Sequence, residues 1–295
     1  MRLGIDLGGT KTEIAVVSGD GSVVWTKRID TSAESYSQIL SQLKALVGEA
    51  YEVTGYDGSV GVSIPGSVSP VSGLIRGANT QVLNGRDFVN DLRAKVGRQV
   101  NVANDANCFT LSEATDGAAC DYANVFGVIL GTGCGGGLVI DNKLIQGRNM
   151  ISGEWGHSPL PWIEERDLPR RHCWCGLFDC LETYISGSAV SREYEMLTGT
   201  NLPVQQIVEI SSTNDNAEQV LLNLENRLAR AFAIIINFID PDAIVIGGGL
   251  SNLSRLYSSI PLQWGNYVFS DSVKTELLPP KYGDSSGIRG AAWLQ

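Results

Sequence analysis

The stretch G-V-I-L-G-T-G-C-G-G-G-L-V-I at residues 127–140 predicts the fold more directly than any other part of this 295-residue chain. An apolar run leads into a Gly/Thr turn, and a second apolar run follows, which is the pattern of two strands joined by a tight turn. The tripeptide D-N-K at residues 141–143 then supplies a hairpin turn before Leu144 and Ile145. The stretch therefore predicts a strand, a glycine turn, a strand, a hairpin turn and a third strand.

A similar pattern occurs near the N-terminus. Residues 3–7 are apolar except for Asp6, G-G-T-K-T follows, and further apolar runs occupy residues 14–17 and 23–25. Two copies of one strand-turn-strand-turn-strand unit predict a duplicated α/β fold of two lobes. The G-G-T-K-T turn offers backbone N–H groups, a hydroxyl and one cation, which suit a phosphate chain. A tight hairpin without a ligand is the alternative explanation of its glycines.

The segment between the two copies predicts a helix at residues 32–51 and strands at residues 60–64 and 100–103. The last of these runs into a helix that begins near Ala106, so Asp105 lies at a strand-to-helix junction. Ligands bind at such junctions in α/β folds. The alternative is that Asn104 or Asp105 only caps the helix.

The C-terminal half predicts helices at residues 186–197 and 215–239, the second with a capping box formed by Asp215 and Glu218. A buried strand at residues 243–246 runs into G-G-G-L-S. We predict that this third glycine turn binds a flat adenosine. The alternative is that it only forms a tight turn from strand to helix. The tail, residues 283–294, predicts a helix of small residues that packs on the first lobe.

Residues 153–182 concentrate possible metal ligands. One imidazole and three thiols in this segment match the donor set of a tetrahedral structural zinc site. The four predicted ligands are His157, Cys173, Cys175 and Cys180, with His172 as a rival to His157. Glu154 and Glu182 stand close to these ligands, and carboxylates accept hydrogen bonds from the hydroxyls of a sugar. The other cysteines, Cys108, Cys120 and Cys134, are predicted to be free thiols.

Composition excludes several classes of partner. The formal charge of −10 and a pI near 4.7 are unsuited to binding a phosphate backbone, so nucleic acid is not an expected partner. No apolar run is long enough to span a membrane, and Asp6 interrupts the only place for a secretory leader. We therefore expect a cytoplasmic protein without a membrane partner.

The motifs taken together resemble those of the ROK family of sugar kinases. They are D-L-G-G-T-K-T, N-D-A-N, L-G-T-G-x-G-G-G, G-E-W-G-H, C-x-C-G-x-x-x-C-x-E and G-G-G-L-S, in that order. The resemblance extends from residue 4 to residue 293. L-N-G-R-D-F, G-E-W-G-H-S-P-L-P-W and G-D-S-S-G-I-R-G-A-A-W-L are most similar to the bacterial fructokinase, or manno(fructo)kinase, branch.

This resemblance implies a fold and a reaction. The fold is the α/β, ribonuclease H-like fold of actin-like ATPase domains, with two lobes and a central cleft. We expect residues 1–118 with 283–295 in a small lobe, and residues 119–282 in a large lobe that carries the zinc loop. The reaction is phosphorylation of fructose to fructose 6-phosphate, with mannose possible, and the expected assembly is a homodimer. N-acetylglucosamine kinase or glucokinase is the alternative.

The resemblance also assigns roles to residues. Asp105 is the general base. The sugar-binding positions are Gly66, Asn79, Asn104, Asp105, Glu154, His157 and Glu182. The positions for ATP and Mg²⁺ are Asp6, Gly8, Gly9, Thr10, Lys11, Thr132, Gly133, Gly247, Gly248 and Gly249. His157 would thus serve both the sugar and a structural Zn²⁺.

Three features bear on this assignment. The family usually has glycine before its last cysteine, where this chain has Asp179, so metal affinity depends on the backbone there. A sugar-sensing repressor is a remote alternative, since such family members carry an additional N-terminal helix-turn-helix domain and the first strand here begins at Leu3. An actin-fold ATPase that remodels partners is the third class, but it has no use for Glu154 and Glu182.

Overall fold

The computed structural model describes residues 1–294, except for the side chain of Asp284. Contacts divide the chain into two compact units. The first unit comprises Met1–Asp121, Gly137–Ser152 and Lys281–Gln295, and the second comprises Tyr122–Gly136 and Gly153–Pro280. The expected division into residues 1–118 with 283–295 and residues 119–282 differs from this mainly at Gly137–Ser152.

The strands and helices are numbered in chain order. The strands are β1 (Arg2–Leu7), β2 (Lys11–Val17), β3 (Val23–Asp30), β4 (Val60–Ile64), β5 (Ser67–Val68), β6 (Ile75–Arg76), β7 (Val100–Asn104), β8 (Asn124–Leu130), β9 (Cys134–Ile140), β10 (Lys143–Leu144), β11 (Ala243–Gly247) and β12 (Glu276–Leu278). The helices are α1 (Tyr36–Thr54), α2 (Phe88–Val96), α3 (Asp105–Thr115), α4 (Glu182–Ile185), α5 (Gly187–Thr198), α6 (Val204–Ile210), α7 (Asp215–Ile239), α8 (Ser254–Ser259) and α9 (Ser286–Trp293).

The strand order confirms the duplication. One sheet has the order β3-β2-β1-β4-β7, and the other has the order β10-β9-β8-β11-β12. β1 pairs antiparallel with β2 and parallel with β4, and β8 pairs parallel with β11. In each sheet an antiparallel hairpin forms one edge and parallel strands form the other. The α/β fold of actin-like ATPase domains predicted from the sequence is therefore present.

Helix α1 shows why these segments fold as predicted. Ser35 caps its N-terminus by accepting a hydrogen bond from the backbone of Gln38, and Gly55 ends it in the left-handed conformation. The buried face consists of Ile39, Leu40, Leu43, Leu46, Val47 and Ala50. Their helical spacing places them on one side, where they join the hydrophobic core beneath β1 and β4.

Helix α9 packs unusually close to the strands of the first unit. A Cβ atom added to Gly61 would lie 1.7 Å from the carbonyl oxygen of Ala291, and one added to Gly290 would lie 1.7 Å from that of Cys108. Only glycine permits such an approach, so the small residues of the tail bring α9 against β4 and α3. The predicted packing of the tail on the N-terminal strands is confirmed.

The N-terminus of α7 corrects one prediction. Asn214, and not Asp215, is the N-cap, because its side chain accepts a hydrogen bond from the backbone of Ala217. Glu218 instead forms a bidentate ion pair with Arg255 at 2.7 Å. Asp215 still contributes negative charge to the first turn, where the helix dipole favours it.

Helix α7 also carries two fully buried arginines. Arg227 donates to Asp167 at 2.8 Å and also pairs with Glu193, and Arg230 donates to Asp167 at 2.9 Å. Every charge in this cluster has an opposite partner, which buried ions require. The cluster joins α5, which carries Glu193, to the segment before the predicted zinc loop.

Among residues 1–294 no helix is long and apolar enough to cross a membrane.

Candidate functional site

The four predicted zinc ligands converge in the second unit. His157 ends a short 3-10 turn, Glu154–His157, and the ligand atoms of His157, Cys173, Cys175 and Cys180 all lie within 4.8 Å of one another. The Sγ of Cys173 lies 3.6 Å from Nδ1 of His157, and those of Cys175 and Cys180 are also 3.6 Å apart. Ligands about 2.0 to 2.3 Å from a tetrahedral zinc ion are roughly 3.3 to 3.8 Å apart. The donor set and its spacing therefore fit zinc.

The structure also decides between the two histidines. The ring of His172 packs edge-on against Phe178, with ring centroids 5.1 Å apart, and His172 lies outside the ligand cluster. Burial raises the pKa of the Cys173 thiol and brings that of Cys180 to about 12, whereas a backbone hydrogen bond at Leu177 lowers that of Cys175. A cation would therefore have to displace protons from the two buried thiols. Cys108, Cys120 and Cys134 are free thiols, as predicted.

The residue before the last cysteine has the conformation that favours glycine. Asp179 has φ of 63°, in the left-handed region. Its buried carboxylate accepts hydrogen bonds from Nε of Arg170 at 2.6 Å, from the backbone N–H of Arg171 at 2.9 Å and from Tyr184 at 2.9 Å. These contacts compensate for the less favourable backbone. Asp179 is thus accommodated in the loop while the ligand positions are kept.

Glu182, the first residue of α4, connects the cysteine loop with the glycine turn between β8 and β9. Its Oε2 accepts a hydrogen bond from the backbone N–H of Cys134 at 3.0 Å, and its Oε1 accepts one from Nε1 of Trp174 at 2.7 Å. A Cβ added to Gly133 would lie 2.7 Å from Oε2, so a larger residue would displace the carboxylate. Trp174 is a member of this site that the sequence motifs did not indicate. Glu154 is exposed in the 3-10 turn that ends at His157.

In the first unit, Asp105 and Asn104 occupy the junction of β7 and α3. Asn104 is the N-cap of α3, and its Nδ2 donates to the carbonyl oxygen of Gly66 at 3.2 Å. The Asp105 carboxylate is exposed and accepts a hydrogen bond from the backbone of Ala106 at 2.8 Å. The structure thus assigns the cap to Asn104 and leaves the carboxylate of Asp105 at the surface. Gly66 has φ of 101°, and a Cβ there would meet the backbone of Ala78 at 2.7 Å.

Asn79 is exposed in the loop after β6. The neighbouring residue Ala78 is held by Asn84, whose side chain accepts from its N–H and donates to its carbonyl oxygen, both at 2.9 Å. Asn84 belongs to the L-N-G-R-D-F motif. The sequence indicated a turn there, but not that this amide fixes the segment next to Asn79.

The first glycine turn lies between β1 and β2. The N–H of Gly8 donates to the carbonyl oxygen of Lys11 at 3.0 Å, while Gly9 and Thr10 are exposed and Lys11 pairs with Asp30. Asp6, at the end of β1, accepts a hydrogen bond from Ser63 at 2.7 Å. Burial raises the pKa of its carboxyl, although the Ser63 hydrogen bond opposes that effect. A cation beside Asp6 would favour the charged form.

The second and third glycine turns border a cavity of about 610 Å³ within the second unit. Gly131, Thr132, Gly249 and Leu250 form one part of the wall, and α5 forms another. Gly248 has φ of 77°, and a Cβ there would lie 2.6 Å from the carbonyl oxygen of Leu130, so the turn requires glycine. The polar side chains that α5 and the segment after it bring to the wall are Ser188, Ser191, Arg192, Glu195, Asn201 and Gln205. Sequence reasoning missed them because they belong to no motif.

A family model supplies the decisive comparison. The model of the ROK family matches residues 2–295, practically the whole chain. This protein belongs to the ROK family. The N-acetyl-D-glucosamine kinase of Yersinia enterocolitica is 38% identical over 301 residues, covering 100% of this chain and 99% of that protein.

Solved structures of ROK proteins are also similar. A ROK hexokinase from Thermus thermophilus superposes with a TM-score of 0.87 at 25% identity, covering 99% of this chain and 96% of that one. A ROK glucokinase from Streptomyces griseus, in complex with glucose and AMPPNP, gives 0.77 at 27% identity and covers 99% and 98% of the two chains. The prediction of an ATP-dependent ROK sugar kinase is confirmed at this level, whereas the fructokinase branch is not supported by these relatives.

Proposed function

We propose that this ROK protein transfers the γ-phosphoryl group of ATP to a hydroxyl of N-acetylglucosamine. The observation that carries the choice of sugar is the N-acetyl-D-glucosamine kinase that is 38% identical over the whole chain. This reverses the order expected from the motifs, which favoured fructose and kept N-acetylglucosamine as the alternative. Fructose is retained as the second candidate because L-N-G-R-D-F and the tail motif are similar to the fructokinase branch.

Asp105 is the general base in this proposal. The transition state of phosphoryl transfer is loose, so the enzyme mainly has to position the reactants and neutralise charge. Asp105 then accepts the proton of the attacking hydroxyl, and its carboxylate also accepts a hydrogen bond from the backbone N–H of Ala106. Asn104 is the N-cap of α3 and accepts a hydrogen bond from the same Ala106 N–H, so the helix N-terminus does not depend on Asp105 alone.

The sugar hydroxyls are bound by Asn104, Glu154, His157 and Glu182, together with Gly66 and Asn79. Glu182 is the best supported of these, because the Cys134 N–H and Trp174 hold its carboxylate in place before any sugar binds. A preorganised acceptor loses little entropy on binding. Selectivity among hexoses then depends on the shape of the surroundings of these residues.

The nucleotide occupies the cavity between α5 and the two glycine turns of the second unit. Gly249 has open space where a Cβ would be, so its backbone leaves room for an adenosine. The turn at Gly131, Thr132 and Gly133 binds phosphate oxygens, and the turn from Gly8 to Lys11 offers the same groups in the first unit. Asp6 is the candidate ligand for the Mg²⁺ ion, which supplies charge neutralisation when bound.

The zinc ion is structural. The four donors of His157, Cys173, Cys175 and Cys180 would hold the ion between them and would leave no position for a substrate. His157 would hold the ion through Nδ1, the atom that lies 3.6 Å from the Sγ of Cys173. The loop is thereby held in the conformation that presents Trp174 next to Glu182.

A coupled ADP-release assay with Mg-ATP tests the proposed reaction. We expect kcat/KM for N-acetylglucosamine to exceed that for fructose, mannose and glucose by about tenfold or more, a gap of about 1.4 kcal/mol. A lead of fructose by the same factor would restore the fructokinase assignment. Absence of phosphorylation of all four sugars by the folded, metal-loaded protein would contradict the proposed function.

A further inference from the structure

We propose that Trp174 is a sugar-binding residue that selects for the apolar face of a pyranose ring. The inference rests on the proposed function and extends it by a residue that no motif assigns. Trp174 stands between two zinc ligands in the sequence C-W-C, and its side chain touches both of the sugar-side residues of the cysteine loop region. Its Nε1 donates to Glu182 at 2.7 Å, and its ring lies edge-on to His157 with centroids 5.0 Å apart.

The exposure of this indole calls for an explanation. Trp174 is 75% exposed, whereas Trp155 and Trp264 are 7% and 3% exposed and serve in the core. Burial of the large apolar area of a tryptophan is favourable and dominates the energetics of many interfaces. An exposed indole lacks this favourable contribution. Its single polar atom is already bonded to Glu182, so the free part of the ring is entirely carbon. The ring is therefore available for apolar contact beside a carboxylate that accepts hydroxyl protons.

A hexose in its ring form matches this combination. Its hydroxyls require acceptors such as Glu182, while its ring C–H groups form an apolar face that an aromatic side chain can cover. N-acetylglucosamine also has an amide methyl group that adds apolar area. The indole–carboxylate hydrogen bond fixes the angle between the two contacts, so Trp174 positions Glu182 as well as touching the sugar.

The test compares W174F and W174A with W162F, an exposed tryptophan of the same unit that packs on Tyr267 instead. Metal content is measured first for each protein. We expect W174A to raise KM for the sugar by about tenfold with kcat changed less than about threefold, and W174F to give a smaller increase in KM because an aromatic face remains. KM for ATP should be unchanged in all three. W162F should match the wild type.

Tryptophan emission supplies a second measurement that does not depend on turnover. N-acetylglucosamine should change the emission of the wild type and W162F but not that of W174F. A sugar-dependent change that persists in W174F, together with KM for W174A within about twofold of the wild type, would overturn the role of Trp174. If the wild type phosphorylates none of the four sugars, the proposed function fails. If the wild type is active and the Trp174 variants have the same KM and emission change as the wild type, only this inference fails.

Discussion

Arg171 and Asp179 close the base of the cysteine loop by two hydrogen bonds in opposite directions, one between backbone groups and one from the backbone to the Asp179 side chain. The N–H of Asp179 donates to the carbonyl oxygen of Arg171 at 2.8 Å, and the N–H of Arg171 donates to Oδ1 of Asp179 at 2.9 Å. Cys173 and Cys175 lie between these residues, and Cys180 follows Asp179 directly. The loop therefore has a closed base made by the protein alone.

Replacement of Asp179 by glycine tests this base. Glycine relieves the left-handed backbone but removes the acceptor for Arg170, the Arg171 N–H and Tyr184, so we expect a loss of about 1 to 3 kcal/mol in the free energy of unfolding. Zinc affinity, measured by competition with a chelator, should fall as well. D179N is the matched control, because asparagine tolerates positive φ and keeps one acceptor oxygen. Equal zinc affinity in D179G and wild type would show that the carboxylate does not organise the loop.

Replacement of a zinc ligand should have a larger effect on stability and zinc content than replacement of Asp179 at the base of the cysteine loop. C175S is expected to contain little zinc, to unfold at a lower temperature and to have a higher KM for the sugar, since loop order and Glu182 are linked through Trp174. Metal analysis and thermal unfolding provide the measurement. C120S changes an exposed free thiol of the first unit and should behave as the wild type. A metal-free C175S of normal stability and activity would refute a structural metal.

Replacement of Asp105, the proposed general base, should lower kcat without affecting folding. General-base help is worth about 10² to 10⁴ in rate, so D105N should lose at least about a hundredfold in kcat. Because the carboxylate is exposed and Asn104 makes the cap, the unfolding temperature should not change. D57N, at another exposed aspartate of the first unit, is the control. Near-normal kcat in folded D105N would exclude Asp105 as the base.

The cavity proposed for the nucleotide can be narrowed at Gly249. A side chain there has open space and an ordinary φ, so G249V should fold normally but raise KM for ATP by about tenfold or more, with KM for the sugar unchanged. Gly265 also has open space around its Cβ direction but does not line the cavity, which makes G265V the control. An unchanged KM for ATP in G249V would place the adenosine elsewhere.

The buried ion cluster predicts acid sensitivity. Burial alone would raise the pKa of Glu193, but Arg227 and Arg171 outweigh it and hold this pKa below its ordinary value of 4.5. A carboxyl whose pKa is lowered by folding stabilises the native state above its unfolded-state pKa, and this contribution is lost as the pH falls through the lower, folded-state pKa. Stability should therefore decline as the pH falls below about 4.5.

E193Q tests that origin. At neutral pH the variant should be less stable by about 3 kcal/mol or more, because the buried Arg227 and the partly buried Arg171 lose a charged partner. As the pH falls below about 4.5, the difference in unfolding free energy between wild type and E193Q should shrink. E209Q, at an exposed glutamate of α6, should follow the wild type throughout. A difference that is independent of pH would mean that Glu193 stabilises the protein by packing.

Part of the order of elements could be predicted from the sequence because it depends on local patterns, whereas α2, α6, α8 and β12 were not predicted. Apolar runs and glycine turns indicated β1, β2, β8 and β9 and their duplication, and helical spacing indicated α1. The N-cap of α7 was predicted one residue too late, since Asn214 and Asp215 are both good caps and only backbone geometry distinguishes them.

The sequence by itself determined the family, the three glycine turns and the set of candidate zinc ligands, because each depends on residue types at short, fixed spacing. The tertiary structure alone decided that His157 and not His172 joins the thiols, that Trp174 and the Cys134 N–H hold Glu182, and that α5 lines a cavity with Thr132. The physical reason is that hydrogen bonds and ligand contacts between residues distant in the chain depend on the path of the backbone, which local patterns do not specify.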